Sequence, residues 1–380
     1  LNIGQLVTGF IAARIGLGGQ AQIYCDSGQR IAVAGIIARA SATINDVGPC
    51  ATFNNVITAA AIDCIVAFAA PDIIMASAGG DRIIAANGYA LDQAEAIDAL
   101  YPFYEDEDHT FSIDVLGGDN QTFNLTSEAV SMPATGSRDV FNIGGSYVGY
   151  LQFNDHSSLA EEELITHFTA LSDNPDPISE LILDLRYNSG GYLSVANQVA
   201  YMIAGSTATE NRNFETLLFN DHAEDLDIEF LTEGVNSAGL SIDLPTLNLN
   251  RVVVIAGEDT CSASESIING LRGIGVEVVL IGNTTCGKPY GFYGFDNCGI
   301  TFLPIAFEGV NDLYSGTVDS TNGAYADGFK PSESSDPYAV SINGCEVSDD
   351  FSQPFGSTDE ARLATARSYI ENGNCPVSVF

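Results

Sequence analysis

A serine and a lysine in the second half of the chain are of the types that act as nucleophile and base. Ser262 opens a Ser-Ala-Ser-Glu run, and Lys288 follows about 25 residues later in a Gly-Lys-Pro turn. A serine hydroxyl is a weak nucleophile and needs a base to accept its proton. A lysine is a base only when it is neutral, so its pKa must fall from about 10.4 by roughly 2 to 3 units, as burial can achieve. Apolar neighbours such as Pro289 and Phe292 suit that requirement.

Lysine is almost absent from the chain, which singles out Lys288. Only Lys288 and Lys330 occur among the 13 basic residues, and the others are arginines. Histidine is the usual base for a serine, but none lies near Ser262 in the sequence; the histidines are His109, His156, His167 and His222. We therefore interpret Lys288 as the candidate base and Lys330 as a surface residue.

The elements around Ser262 and Lys288 form a strand–helix–strand pattern. Residues 251–256 and 276–281 are apolar, β-branched runs that predict buried strands, with an amphipathic helical stretch between them. Such a βαβ unit implies parallel strands. Both joints then lie at one edge of the sheet, where open α/β sheets bind their ligands.

A structural interpretation of the serine run stays open beside the catalytic one. Ser262 and Glu265 have the spacing of a capping box, with Ser262 as N-cap and Glu265 at the third helical position. A helix that begins there would also leave backbone N–H groups for an oxyanion.

Two motifs resemble the carboxyl-terminal processing peptidases, also called tail-specific proteases. The first is Ser262-Ala-Ser-Glu with Gly287-Lys288 after it; the second is the segment 181–191, LILDLRYNSGG. The resemblance implies that Ser262 is the nucleophile and Lys288 the base of a Ser/Lys dyad. It implies an oxyanion hole made by the backbone N–H of Ala263 and that of a glycine in the second motif, Gly190 or Gly191.

Supporting residues are expected beside the two motifs, and the resemblance contains one departure. Asp184 and Arg186 are expected to pair and support the turn of the second motif, and Glu265 is expected to support the turn at Ser262. Many members of the family place a glutamine four residues after the lysine to orient it, whereas this chain has Phe292. Either another group orients Lys288 or the dyad is impaired.

The implied fold class is α/β, with a crotonase/ClpP-like βαβ catalytic core and a small α+β PDZ-like domain before it. We expect an N-terminal segment of unclear fold (1–60), a PDZ-like domain (61–132) and a serine peptidase domain (133–380), with a linker over 132–144. The PDZ prediction depends on a Gly-Asp-Arg-Ile…Asn-Gly pattern at 80–88. The alternative is a small α+β domain that only packs on the enzyme.

Charge and cysteines indicate the compartment. The net charge of −37 disfavours nucleic acid and anionic membranes as partners. Eight cysteines, together with a chain that starts at Leu1, suggest a protein freed of a signal peptide and located outside the cytoplasm, in the periplasm or secreted. We expect disulfides Cys286–Cys298 and Cys345–Cys375. Pairing stays open for Cys25, Cys50, Cys64 and Cys261, and Cys261 is interpreted as a bridged or buried thiol rather than a nucleophile.

The sequence thus predicts a serine endopeptidase acting on unfolded or C-terminal peptide ends. No cofactor is expected, because no Cys/His spacing suggests zinc and no nucleotide motif is convincing. No transmembrane segment is predicted. The alternatives are a catalytically silent protein that binds a peptide or ligand on the same fold, and a mainly structural protein. Substrate preference and oligomeric state are left open.

Overall fold

The computed structural model describes residues 82–102, 104–115, 118–128, 133–236, 239–297 and 300–376. They divide into two compact units, each taken by itself. One comprises the part up to residue 131 together with 294–303, and the other comprises 132–293 and 304 onward. The predicted segment 1–60 and the start of the PDZ-like domain lie outside the described residues, as do the cysteines Cys25, Cys50, Cys64 and Cys298.

The helices and strands follow one another along the chain with these bounds. The strands and the helix before residue 130 are β1 (Arg82–Ala86), β2 (Tyr89–Ala90), α1 (Ala94–Leu100), β3 (Asp108–Asp114) and β4 (Gln121–Thr126). Next come β5 (Thr135–Ile143), β6 (Ser146–Phe153), α2 (Ala160–Ser172), β7 (Ile178–Asp184), α3 (Leu193–Thr209), β8 (Asn213–Leu218), β9 (Leu226–Glu229), β10 (Glu233–Val235) and β11 (Ser241–Asp243). The remainder is β12 (Arg251–Ala256), α4 (Ala263–Gly273), β13 (Glu277–Gly282), β14 (Tyr290–Phe292), β15 (Phe295–Asn297), β16 (Ile300–Phe302), β17 (Ile305–Val310), β18 (Phe329–Pro331), β19 (Val340–Ile342), β20 (Gly344–Glu346) and α5 (Ala361–Asn372).

The first unit is a small α+β arrangement. Its sheet has the order β2-β1-β3-β4, and all three pairings are antiparallel. Ala86 on β1 packs with Ala96 and Ala99 of α1 in a small core of its own. The strands β15 and β16 form a hairpin that groups with this unit, although the predicted boundaries did not include residues 294–303. The α+β composition agrees with the predicted class, and the PDZ assignment stays a prediction.

The second unit is built on a six-stranded sheet of order β20-β13-β12-β7-β6-β5. Every neighbouring pair is parallel except β6 with β5. Val254 lies at the centre, opposite Leu280 on one side and Leu183 on the other. The predicted α/β class, with parallel strands before the Ser262 and Lys288 turns, is confirmed.

Both faces of this sheet are buried, which explains why its strands are almost continuously apolar. Val252 and Val254 of β12 face the core made with α2, α3 and α4. Val253 and Ile255 point the other way, into the core that contains Leu363 of α5. Burial of a side chain such as these contributes about 1.5–3 kcal/mol. The sheet is therefore a rigid support for the loops at the carboxyl ends of its strands.

The predicted linker over residues 132–144 is wrong. Nine of these residues form β5, which pairs antiparallel with β6 through the Gly144–Gly145 turn. Two glycines in this range have local roles in the hairpin. Gly136 lies where the register shifts, and a Cβ there would be 2.4 Å from Oε1 of Gln152. Gly144 has φ +59°, a backbone conformation that L side chains rarely adopt.

Candidate active site

Ser262 occupies a strained turn between β12 and α4. It is the N-cap of α4, and its backbone has φ 55° and ψ −119°. A positive φ at a residue other than glycine costs on the order of 1–3 kcal/mol and is typical of functional turns, as in the strand-to-helix elbow that exposes a nucleophilic serine. Thr260 supports the turn, because its hydroxyl donates to Leu185 O at 2.9 Å and accepts the N–H of Gly257 at 3.0 Å. Ser262 itself is half-buried, so a substrate can reach it.

The buried carboxylate of Glu265 joins two turns: the one before α4, which contains the candidate nucleophile Ser262 and is called the nucleophile turn, and the one after β13, which contains Lys288 and is called the lysine turn. Its Oε2 accepts the backbone N–H of Ser262 at 3.0 Å and that of Lys288 at 2.8 Å. Its Oε1 accepts the N–H of Gly287 at 2.8 Å and the hydroxyl of Thr285 at 2.5 Å. Burial raises the pKa of Glu265, while these donors act in the opposite direction. The bond to Ser262 is one half of the predicted capping box, and the same carboxylate also holds the lysine turn.

Lys288 lies half-buried in the turn that follows β13. Its Nζ is 5.2 Å from the centroid of the Phe292 ring, at the position where the resemblance would place a glutamine. This is a cation–π contact, worth about 0.5–1 kcal/mol at exposed sites and more when water is excluded. The departure noted in the sequence therefore places an aromatic face, and not an amide, beside the lysine.

A disulfide also ties the two turns together. Cys261, directly before Ser262, is bonded to Cys286, two residues before Lys288, with 5.2 Å between their Cα atoms. The expected pair Cys286–Cys298 is therefore wrong. The cause is the strand order: Cys261 and Cys286 follow the carboxyl ends of adjacent parallel strands, and Cys286 N donates to Thr260 O at 3.1 Å. A bonded Cys261 is not a nucleophile.

The second expected disulfide, Cys345–Cys375, is present, with 5.5 Å between the Cα atoms. Cys345 lies on β20 and Cys375 follows α5, so this bond anchors the end of the described chain to the sheet. Two groups of potential metal ligands exist in the described residues, Cys261 with Glu265 and Cys286, and Glu333 with Cys345 and Cys375. Each contains a disulfide pair, and a disulfide sulfur is not the thiolate that binds zinc.

The turn after β7 that contains Gly190 and Gly191, called the glycine turn, packs directly against the nucleophile turn. A Cβ on Gly190 would lie 2.7 Å from Cys261 O and 2.8 Å from Ala263 N. A Cβ on Gly191 would lie 2.7 Å from His156 O. Gly190 and Gly191 have φ +96° and +144°, so close approach and backbone conformation both require glycine here.

The two glycines differ in what their N–H groups do. The Gly190 N–H donates to Asn188 Oδ1 at 3.0 Å, so it is not available for an oxyanion. Within the part of the chain that the structure describes, neither the Gly191 nor the Ala263 N–H donates a hydrogen bond. Of the two glycines that the resemblance suggested, Gly191 is the candidate that remains, together with Ala263.

Asp184 and Arg186 form a buried ion network under the glycine turn. Arg186 Nε donates to Asp184 Oδ1 at 3.0 Å, and its two terminal nitrogens donate to the carboxylate of Glu360 at 2.8 Å each. Burial by itself would lower the pKa of Arg186, but the charges and hydrogen bonds of Asp184 and Glu360 outweigh it and raise this pKa. The hydroxyl of Tyr150 donates to Asp184 Oδ2 at 2.9 Å.

Glu360 was missed in the sequence, although the ion network depends on it. It is the N-cap of α5, where its side chain accepts the N–H groups of Arg362 and Leu363. An acid before a predicted helix is a recognisable cap signal. Nothing local indicates its second role, because its partner Arg186 is 174 residues away.

Residues 147–291 match the model of Peptidase family S41. The matched segment contains the glycine turn, Ser262, Glu265 and Lys288. The predicted resemblance to this family of serine peptidases is thereby confirmed over these residues. No curated protein sequence matches the chain.

Two solved structures are similar to parts of the chain. The crystal structure of a putative S41 protease from Bacteroides fragilis has a TM-score of 0.53 at 23% identity, covering 78% of this chain and 74% of that chain. A photosystem II D1 C-terminal processing protease has a TM-score of 0.45 at 19% identity, covering 71% of this chain and 64% of that chain. At such identities the likeness to the first structure concerns the fold.

Proposed function

We propose that the chain is a serine endopeptidase of the tail-specific type, with Ser262 as nucleophile and Lys288 as base. The observation that carries this proposal is the shared carboxylate: Oε2 of Glu265 accepts the N–H of both residues, at 3.0 and 2.8 Å. One buried group thus sets the backbone of nucleophile and base together. The disulfide Cys261–Cys286 adds a covalent link between the same two turns.

In the proposed reaction, Ser262 Oγ attacks the scissile carbonyl carbon while neutral Lys288 accepts the hydroxyl proton. The N–H groups of Ala263 and Gly191 stabilise the oxyanion, each contributing about 3–4 kcal/mol. Lys288 then gives its proton to the leaving amine, and the acyl group stays on Ser262. A water molecule deprotonated by Lys288 hydrolyses this acyl-enzyme and regenerates the serine.

We further propose an extracytoplasmic location and an extended peptide as substrate. Two disulfides support the location, because such bonds persist in oxidising compartments. No helix among the described residues is long and apolar enough to span a membrane. The antiparallel sheet β2-β1-β3-β4 would take part in the predicted PDZ-like role, since such sheets bind a peptide by adding it at an edge.

A catalytically silent peptide-binding protein is the second candidate. The contact between Lys288 Nζ and the Phe292 ring favours it, because the face of an aromatic ring attracts an ammonium and not a neutral amine. In this alternative the turns around Ser262 serve only to shape a binding cleft.

Cleavage of an unfolded protein separates the two candidates. The purified chain is incubated with unfolded casein, beside Ser262→Ala and Lys288→Met, and fragments are followed by mass spectrometry. Lys330→Met is the matched control, because Lys330 is also half-buried but donates to the carbonyl groups of Ser334 and Asp336.

We expect cleavage by the wild type and the Lys330 variant, and none by the other two. Cleavage that survives in Ser262→Ala refutes the assignment of the nucleophile. An inert wild type that still binds casein fragments in equilibrium dialysis supports the silent alternative.

A further inference from the structure

His156 is a completely buried histidine that lies against the glycine turn and takes no part in the proposed proton transfer. It follows β6, and its backbone forms an isolated parallel bridge with Gly191. Its ring centroid is 4.4 Å from that of Phe153. Its Nδ1 is 2.9 Å from Asn188 Oδ1, and its Nε2 is buried with no hydrogen-bond partner among the described residues.

The neighbours of Asn188 determine which nitrogen of His156 carries the proton. Asn188 Nδ2 donates to Phe153 O at 2.9 Å, and Asn188 Oδ1 accepts the Gly190 N–H at 3.0 Å. Oδ1 is therefore the acceptor facing His156, and Nδ1 must be the donor. Burial lowers the pKa of His156 to about 3, so the ring is neutral near pH 7 and its Nε2 is unprotonated.

His156 also holds the peptide between the two glycines by its backbone. Its N–H contacts Gly190 O at 3.4 Å, and its carbonyl oxygen accepts the N–H of Tyr192 at 3.0 Å. The peptide bonds of the described chain are trans, so the C=O and N–H of one peptide point in opposite directions. With Gly190 O directed towards His156, the Gly191 N–H points away from it.

Asn188 connects this arrangement to the nucleophile. Its carbonyl oxygen accepts the Cys261 N–H at 3.1 Å and the Ser264 hydroxyl at 2.9 Å. One residue thus holds the glycine turn by its side chain and the nucleophile turn by its backbone. The hydrogen bond from His156 adds a second donor to Asn188 Oδ1, so rotation of the Asn188 amide would break the bonds with His156, Gly190 and Phe153 together.

We propose that His156 is a positioning residue for the oxyanion hole: by donating Nδ1–H to Asn188 Oδ1 it sets the Gly190–Gly191 peptide so that the Gly191 N–H faces the carbonyl oxygen of the substrate. This inference rests on the proposed function. It assigns His156 no proton transfer with substrate. The loss of its donor therefore affects stabilisation of the transition state and leaves substrate binding intact.

Three substitutions test this role. His156→Leu removes the donor, His156→Asn keeps an N–H₂ donor near the position of Nδ1, and His156→Gln moves the donor outward to the position of Nε2. The kinetics of a fluorogenic peptide and the affinity of a peptide aldehyde, which forms a tetrahedral adduct with a serine, are measured for each. We expect His156→Leu to lower kcat about a hundredfold, in the range found when one oxyanion donor is lost, with KM changed less than twofold.

The rescue pattern distinguishes positioning from simple support of the fold. The kcat and the aldehyde affinity of His156→Asn should each be at least about tenfold higher than those of His156→Leu, whereas His156→Gln should show no such gain. The pH–rate profile should keep its shape in every variant. Equal activity of the Asn and Leu variants, or a KM increase as large as the kcat loss, overturns the inference. So does loss of the acid limb of the profile, which would make His156 a base. Should His156→Leu not fold, the comparison between Asn and Gln decides.

A readout that needs no activity separates this inference from the proposed function. ¹⁵N NMR of the full chain, with its histidines labelled with ¹⁵N, reports which ring nitrogen is protonated. We expect an Nδ1–H tautomer for His156 throughout about pH 5 to 8, where an ordinary histidine would titrate. An Nε2–H tautomer or a titration in that range overturns the inference whether or not the chain cleaves casein. Cleavage that survives in Ser262→Ala refutes the proposed function, and it leaves the tautomer of His156 and its hydrogen bond to Asn188 unaffected.

Discussion

Cys261 and Cys286 are joined by a disulfide at the carboxyl ends of two adjacent parallel strands. The first precedes the candidate nucleophile Ser262, and the second is two residues before the candidate base Lys288. This bond lies alongside the hydrogen bonds that Glu265 accepts from both turns. The two turns that contain the candidate dyad are thus joined twice, once covalently and once by a buried carboxylate.

Removing that disulfide should lower activity as well as stability. We expect the double variant Cys261→Ser/Cys286→Ser to lose about 2–4 kcal/mol of unfolding free energy, because the unfolded chain is no longer constrained. It should also lose kcat, since the two turns can separate. The measurements are urea unfolding and peptide hydrolysis.

The other disulfide is the matched control for this prediction. Cys345→Ser/Cys375→Ser opens a loop of similar length, with a sequence separation of 30 against 25. Its stability should fall by a similar amount while kcat stays near that of the wild type. Equal losses of kcat in both double variants would contradict the prediction.

Glu265→Gln should disable the site although the two side chains have the same shape. The carboxylate accepts from four donors, and an amide replaces one acceptor oxygen by an N–H₂ group that faces other donors. We expect a stability loss of about 1–3 kcal/mol and a larger proportional loss of kcat. Unfolding in urea and single-turnover acylation measure the two effects.

Glu163→Gln is the control for Glu265→Gln. Among the described residues only its Oε2 accepts hydrogen bonds, from the N–H and the hydroxyl of Thr135, so the amide oxygen of glutamine can replace it. The kcat of Glu163→Gln should equal that of the wild type. Full activity in Glu265→Gln would show that the shared carboxylate does not position the dyad.

Phe292→Gln should raise the acylation rate if Lys288 is the base. The ring face attracts only the ammonium form of Lys288, whereas an amide oxygen accepts a hydrogen bond from the amine and orients it. We expect an increase of about tenfold, since general-base catalysis contributes about 10²–10⁴-fold in total. Phe292→Leu removes the ring without adding an amide. It therefore separates the effect of losing the ring from the effect of gaining a hydrogen-bond acceptor. A fall in rate in both variants would show that the ring itself orients the lysine.

Glu215→Gln should change how stability depends on pH. Glu215 is buried on β8, and burial raises its pKa to about 7, while a hydrogen bond from Ser266 acts in the opposite direction. The folded state therefore prefers the protonated form, and the stability that this form contributes is lost as pH rises from about 4.5 through about 7. At pH 8 the neutral variant should be more stable than the wild type by up to about 3 kcal/mol, with no difference near pH 4.

Urea unfolding of wild type and variant across this pH range measures the effect. Glu162→Gln, an exposed position on α2, should show no pH-dependent difference from the wild type. A constant difference between Glu215→Gln and wild type at all pH values would contradict the prediction.

Glu360→Gln should show the opposite dependence on pH. Burial alone would raise the pKa of Glu360, but hydrogen bonds and charge from Arg186 outweigh this and lower it. The stability from ionised Glu360 is present above the unfolded-state pKa of about 4.3 and is lost as pH falls through the lower folded value. At pH 7 the variant should be about 3–5 kcal/mol less stable than the wild type, because the buried positive charge of Arg186 is then balanced by fewer carboxylates. The difference should shrink in acid, and a difference that grows instead would refute this account.

Much of the fold around the candidate site could be predicted from local patterns. The predicted strand over residues 251–256 has the observed bounds of β12, because a buried parallel strand is continuously apolar. The predicted strand over 276–281 differs from β13 by one residue at each end. The linker over 132–144 was not predictable in the same way, since Gly136 and Gly144 act inside a hairpin as a bulge and a turn.

The sequence by itself determined which residue types lie at the ends of the strands: a serine after β12, a lysine after β13 and two glycines after β7. These follow from periodicity and from motifs that are contiguous in the chain. Only the tertiary structure decided that Cys286 pairs with Cys261, that the Gly190 N–H is already taken, and that Glu360 and His156 support the turns. The physical reason is that the disulfide and the contacts of Glu360 and His156 depend on the lateral order of strands and on helix packing. That order brings together groups that are 25 to 174 residues apart, such as Cys261 with Cys286 and Arg186 with Glu360. The Gly190 N–H differs, because its acceptor Asn188 Oδ1 is only two residues away and is held in place by the buried contacts of Asn188 with His156 and Phe153.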